Sequence, residues 1–111
     1  MLTLPSGIKV YLAKQPLDMR KSFQGIAAAV QTQLQKTANN GHLFVFGNKR
    51  GDKIKVFYWD RNGFAQWYKQ LEQGKFRWPR ITGNTVEIST SDLTLLLEGI
   101  DLQHAQRLHS Y

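Results

Sequence analysis

Hydrophobic and polar residues alternate in two different rhythms along this chain, and the change of rhythm outlines the fold. Ile8-Lys9-Val10-Tyr11-Leu12 alternates around Val10 after a Pro5-Ser6-Gly7 turn and predicts a short strand. Pro16 and Asp18 announce a helix with Asp18 as N-cap. Met19, Phe23, Ile26, Ala27, Val30 and Leu34 then recur at spacings of three and four. That stripe predicts a helix of about 18 residues, closed by Asn39-Asn40-Gly41. From His42 onward the period is two: strands are expected over 42–46, 53–60, 64–71 and 75–78. Gly47 to Asp52, Asp60-Arg61-Asn62-Gly63 and Gln73-Gly74 supply the turns between them. Val86-Glu87-Ile88 adds an edge strand. Ser89, Thr90, Ser91 and Asp92 are N-cap candidates for a short C-terminal helix through Leu93, Leu96, Leu97 and Ile100, ending near Gly99. The fold class is therefore α+β: a twisted antiparallel meander of four to six strands, one long N-terminal helix and one short C-terminal helix, with the helices on one face. Residues 1–103 form one domain and 104–111 a loose polar tail.

Composition adds limits. A chain of 111 residues is the size of one domain with one modest core. With no cysteine, disulfides, thiolate catalysis and Cys-based zinc sites are excluded. No apolar run reaches the ~20 residues of a membrane span, and the first residues lack the basic and hydrophobic regions of a signal peptide. A cytoplasmic protein without membrane contact is the expectation.

Charge changes the picture more. Fifteen Lys and Arg against eight Asp and Glu give a net charge of +7, which favours polyanionic partners. Nine of the cations lie within residues 47–80: Lys49, Arg50, Lys53, Lys55, Arg61, Lys69, Lys75, Arg77 and Arg80. Asp52, Asp60 and Glu72 are the acids there, so this third of the chain carries +6 of the +7. Lys49-Arg50, at the tip of a hairpin with glycines on either side, is suited to phosphates or guanine edges; the same pair would serve equally well in a solvated turn. Lys53, Lys55, Lys69, Lys75 and Arg77 interleave with Phe57, Trp59, Phe64, Trp67, Tyr68, Phe76 and Trp78. Such a face can grip a backbone and stack bases, but a small sheet commonly spends these rings on its core. Arg20 and Lys21 fall in the first turn of the predicted helix, where they oppose its dipole unless a phosphate or a neighbouring carboxylate compensates.

Catalytic patterns are weak. The eight acids are scattered, and Asp52 and Asp60 stand about 26 Å apart on an extended strand, too far to share a metal. His42, His104 and His109 lack ligand spacing. Neither a phosphate-binding glycine motif nor a serine elbow is present. No enzyme activity, cofactor or metal is assigned. Leu93, Leu95, Leu96, Leu97 and Ile100 are dense enough to cap the core and leave Leu95 for a partner or a second copy in a homodimer.

Three segments carry a family resemblance: Asp18-Met19-Arg20-Lys21-Ser22-Phe23-Gln24-Gly25, the run from His42 to Pro79, and Leu96-Leu97-Glu98-Gly99-Ile100-Asp101. With the opening Leu4-Pro5-Ser6-Gly7, they resemble the TnpB-type accessory protein of insertion sequences of the IS-sixty-six family, over residues 4 to 101. The RNA-guided nucleases that share the TnpB name are not similar. The resemblance implies a bacterial mobile genetic element in which a separate, larger transposase holds the catalytic acids and small proteins support transposition and DNA recombination. It supplies no catalytic residue. Gln70 stands where members often have Arg, and Phe57 where they often have Leu; Gln70 is accordingly kept out of the binding face. The leading expectation is a DNA-binding accessory using Arg20, Lys21, Lys49, Arg50, Lys53, Lys55, Arg61, Lys69, Lys75, Arg77 and Arg80. The alternative is a module that binds the transposase or another accessory protein through its C-terminal helix.

Overall fold

In the computed structural model, which describes residues 7–99, the first two strands run parallel. Strand β1 (Val10–Ala13) is followed by helix α1 (Phe23–Leu34) and strand β2 (Leu43–Gly47). A parallel pair needs a crossover of this length, and the intervening helix provides it. β3 (Lys53–Asp60) and β4 (Gly63–Gln70) continue as antiparallel hairpins. β5 (Thr85–Ile88) returns antiparallel to the other side of β1, and α2 (Thr90–Leu97) closes the described chain. The sheet order is β4-β3-β2-β1-β5. The fold is thus α+β with five strands, but the sheet is mixed rather than purely antiparallel.

The helices cover both faces, not one. Ile26, Ala29, Val30 and Leu34 of α1 pack on Ala13, Phe44, Phe46 and Phe57. On the opposite face Leu93, Leu96 and Leu97 of α2 join Val10, Leu12, Leu43, Val45, Ile54 and Val56. Strands buried on both sides read as near-continuous apolar runs, which is why β2 is Leu-Phe-Val-Phe without alternation.

α1 is 12 residues long, shorter than its apolar stripe predicts. Asp18 is not its cap. The Asp18 carboxylate accepts the Arg20 backbone N–H at 2.9 Å and holds a turn of its own. Ser22 caps the helix instead, accepting the Gly25 N–H at 3.1 Å. Arg20 and Lys21 therefore precede α1 rather than occupying its first turn. The helix ends at Gln35, whose φ of 55° is left-handed, and Lys36 N–H returns to the Val30 carbonyl at 3.3 Å. The Asn39-Asn40-Gly41 stop lies beyond that end. α2 is capped by Ser89, whose hydroxyl accepts the Asp92 N–H.

Residues 75–78 are not a strand. β4 and β5 occupy opposite edges of the sheet, so the chain between them must cross its full width. Phe76 N–H donates to Gly51 carbonyl at 2.8 Å, and Trp78 Nε1–H donates to Ala13 carbonyl at 3.0 Å. Lys14 N–H donates to Asn84 carbonyl at 3.0 Å. The crossing segment is thereby sewn past the ends of β3, β2 and β1 in turn, with Phe76 and Ile81 buried on the α2 side. The expected turn before Gly7, residue Ile100 and the tail 104–111 lie outside the described residues.

Candidate nucleic-acid interface

The strand order gathers three connections at one end of the sheet: residues 14–22 after β1, the β2–β3 hairpin loop, and the crossing segment after β4. Leu17 N–H donates to Gly47 carbonyl at 2.8 Å and ties the first to the second. The Trp78 ring lies against Gly47, where an added Cβ would come within 3.3 Å of it, and ties in the third.

The hairpin loop is held by one side chain. Asn48 Oδ1 accepts the N–H groups of Gly51 at 2.9 Å and Lys53 at 3.0 Å, and its Nδ2 donates to Asp52 at 2.7 Å. That bond holds the Asp52 carboxyl below its usual pKa. Gly51 turns with a φ of 85°, a conformation glycine adopts at little cost, and the Lys75 stem packs on it. Lys49 and Arg50 are exposed at the tip of this braced loop.

Between the loop and the 16–20 turn is an open cleft of about 520 Å³. Arg20, Lys49, Arg50 and Lys53 line it, with Asp18 as its one carboxylate. Asp18 pairs with Arg20 at 2.9 Å. The hydrogen bonds from Arg20 hold its carboxyl down to about 2, and Arg20 is raised in return. A neighbouring pocket of about 260 Å³ shares Pro16, Asn48, Lys49 and Lys53 and adds Lys14 and Trp78. Cations from separate segments thus face common solvent-filled space, an arrangement able to hold phosphate oxygens by charge-assisted bonds.

A family model described as IS66 Orf2 like protein matches residues 8–107. The chain belongs to the IS66 Orf2-like family. It is an insertion-sequence accessory protein. Two proteins of Sinorhizobium fredii, both named as uncharacterized and designated y4hO and y4jC, are similar across nearly their whole length. The first is 39% identical, covering 93% of this chain and 91% of the relative. The second is 34% identical, covering 91% and 86%. No solved structure matches the chain significantly.

This IS66 Orf2-like chain distributes its other sequence-predicted cations elsewhere. Lys55 is 3% exposed; its ammonium donates to the Met19 carbonyl at 2.7 Å and lies 4.8 Å from the centre of the Tyr68 ring. Burial lowers its pKa, against a smaller opposing effect from Asp18. Lys69 faces α2 and donates to the Leu97 carbonyl at 2.8 Å. Arg61 is at the far end of the β3–β4 hairpin beside Asp60, with a left-handed φ of 57°. Arg77 and Arg80 are exposed on the crossing segment. Lys21 is exposed just before α1, and Lys75 stands beside the loop. Leu93, Leu96 and Leu97 are buried under the sheet, while Leu95 is half-buried.

The sequence reading missed Asn48 and Lys14. The Asn48 signal was present: Asn at a hairpin entrance, followed by Gly at the third position, commonly organises a turn through its side chain. Lys14 carries no local signal, because its place beside the hairpin depends on the parallel pairing of β1 and β2. Among the described residues, no three His, Asp or Glu side chains are placed to hold a metal, and no helix is long and apolar enough to cross a membrane.

Proposed function

We propose that this IS66 Orf2-like protein supports transposition by binding the DNA backbone of its element at the hairpin end of the sheet. The observation that carries the reading is the meeting of Arg20 with Lys49, Arg50 and Lys53 around one cleft, from segments about thirty residues apart in sequence. Lys14 and Lys75 extend the basic surface to either side. The loop that presents Lys49 and Arg50 is already ordered by Asn48, so little further ordering accompanies binding. Lys55 and Lys69 are committed to internal carbonyls, and Arg61 stands at the other end of an eight-residue strand; these three drop out of the contact set, and Lys21, Arg77 and Arg80, which line neither pocket, are left outside it.

Six contacts, from Lys14, Arg20, Lys49, Arg50, Lys53 and Lys75, give a log–log salt slope near −5 on duplex DNA. Fluorescence anisotropy over a salt series measures it, with the element's terminal repeat and a scrambled duplex as probes. Lys49→Ala/Arg50→Ala together should flatten the slope by roughly two units. A slope unchanged by that pair, or no binding at moderate salt, refutes the proposal. Preference for the repeat would make the protein an end-recognising factor; equal affinity would make it a general DNA clamp. The burial of Leu93, Leu96 and Leu97 weighs against α2 as a transposase-docking helix, leaving Leu95 as the one candidate for that role among the described residues of the set.

A further inference from the structure

Beyond the phosphate cleft, the α1 side of the outermost hairpin is left partly uncovered. The β3–β4 register places Lys53 opposite Gln70, Lys55 opposite Tyr68, Phe57 opposite Gln66 and Trp59 opposite Phe64. These eight side chains share one face. α1 packs over Phe44, Phe46 and Phe57, and Phe57 stacks on Phe64 with ring centres 4.8 Å apart. Past that point cover stops: Tyr68 is 46% exposed, and Phe23, at the start of α1, is 39% exposed. Among the described residues these are the two large apolar side chains most open to solvent. Phe57 and Phe64 on this face belong to the core under α1, whereas Tyr68 does not.

Tyr68 is also the ring next to the cleft. It is one step along the shared face from Lys53, a cleft-lining cation, and its inner surface is occupied by the buried Lys55 ammonium. A ring backed by a cation and nearly half exposed is able to stack on an unpaired base of any kind. From Tyr68 the row continues through Gln66 to Phe64, against which Trp59 packs edge-on at 5.0 Å. A closed duplex keeps its base faces stacked on one another and offers none to Tyr68, whereas a single strand has unpaired bases to place there.

We infer that the protein binds single-stranded DNA, with phosphates in the Arg20–Lys49–Arg50–Lys53 cleft and an adjacent unpaired base stacked on the open face of Tyr68. The inference rests on the backbone-binding reading above and adds to its phosphate contacts, which duplex and single strand share, a base contact that only unpaired DNA offers. The charge of the neighbouring cleft selects a polyanion over a neutral apolar partner for this surface.

The test uses the full chain with three labelled probes: a short oligothymidine, an abasic strand of the same length, and a duplex. Wild-type protein should bind the oligothymidine at least about fivefold more tightly than the abasic strand, the lower end of what one base–aromatic stack contributes. Tyr68→Ala should erase that ratio without altering the salt slope, and Tyr68→Phe should preserve it. Lys49→Ala/Arg50→Ala should weaken both strands and keep the ratio. If Tyr68→Ala binds every probe as wild type does, the stacking inference fails while the phosphate cleft stands. If wild type binds neither single strand nor duplex, the cleft reading itself fails and takes this one with it. If Tyr68→Ala changes the mass in sedimentation rather than the ratio, the face belongs to a second copy of the chain and the inference is overturned.

Discussion

Lys69 separates cations that hold the fold from cations free to hold a ligand. At the end of α2, Glu98 N–H reaches the carbonyls of Thr94 and Leu95 at 3.2 Å, and Gly99 N–H reaches Leu96 at 3.0 Å. The Leu97 carbonyl is taken by the Lys69 ammonium, across the gap between β4 and the helix. Lys69→Met keeps the aliphatic stem and removes only the donor. A charged hydrogen bond to a half-buried acceptor, together with a cation at a helix C-terminus, contributes about 1.5 kcal/mol. On a domain near 100 residues that is a fall in melting temperature of roughly 6–12 °C. Urea unfolding followed by tryptophan fluorescence gives the stability, and the DNA salt series gives the number of phosphate contacts for the same protein. The expected result is lower stability with an unchanged salt slope, the reverse of Lys49→Ala/Arg50→Ala. A stable variant whose slope flattens by one unit would make Lys69 a phosphate ligand and refute the division.

Lys55→Met should raise stability at neutral pH by about 1 kcal/mol, because the buried ammonium loses more hydration than its bond to Met19 returns. Since burial lowers the folded pKa of Lys55 below 10.5, the unfolded chain binds its proton more tightly and wild-type stability should climb as pH rises through that interval; the difference between wild type and Lys55→Met in urea unfolding should shrink over the same range. A variant less stable at neutral pH would reverse this sign. Asp18→Asn keeps an acceptor for the Arg20 N–H but removes the one carboxylate from the cleft, so DNA affinity at fixed salt should rise severalfold in anisotropy; a fall would place Arg20 outside the contact set. Trp78→Phe removes the bond to the Ala13 carbonyl and should lower stability in urea unfolding by about 1–2 kcal/mol; a shift below a few tenths would mean the crossing segment is anchored elsewhere.

Elements whose signals are local were legible in the sequence. β3 runs over 53–60 as its alternation predicts, and Gly51-Asp52 and Arg61-Asn62 bound it on both sides. β2 and β4 are each displaced from expectation by one residue at both ends, and α2 follows one of its four candidate caps. The errors share a cause. Asp18 and Ser22 are both good caps, and the choice fell to Ser22 because the Arg20 N–H and guanidinium claim Asp18. The 75–78 run has strand residues but leaves the outer edge of β4 unpaired, because Phe76 and Trp78 are bonded to Gly51 and Ala13 on the way across to β5. Lys53 and Lys55 look equivalent in the pattern, yet Lys55 is buried because helices cover both faces and the 17–20 turn closes over it.

Charge density along the sequence is a poor guide to charge density in space. The chain reverses at Arg61, which stands apart from the other cations at the far end of the β3–β4 hairpin, and Lys55 and Lys69 are spent on internal carbonyls. What gathers the cleft cations is topology. Parallel pairing brings the chain leaving β1 beside the chain leaving β2, which puts Lys14 and Arg20 next to Lys49 and Arg50. Placing β4 and β5 on opposite edges then forces the following segment past the same end, and Lys75 arrives with it. Each of these cations is unremarkable in its own turn; the cleft exists because one strand order sends all three connections to one end of the sheet. A mutation that disturbs the crossing, such as removal of the Trp78 anchor, therefore acts on the binding surface without touching a charge.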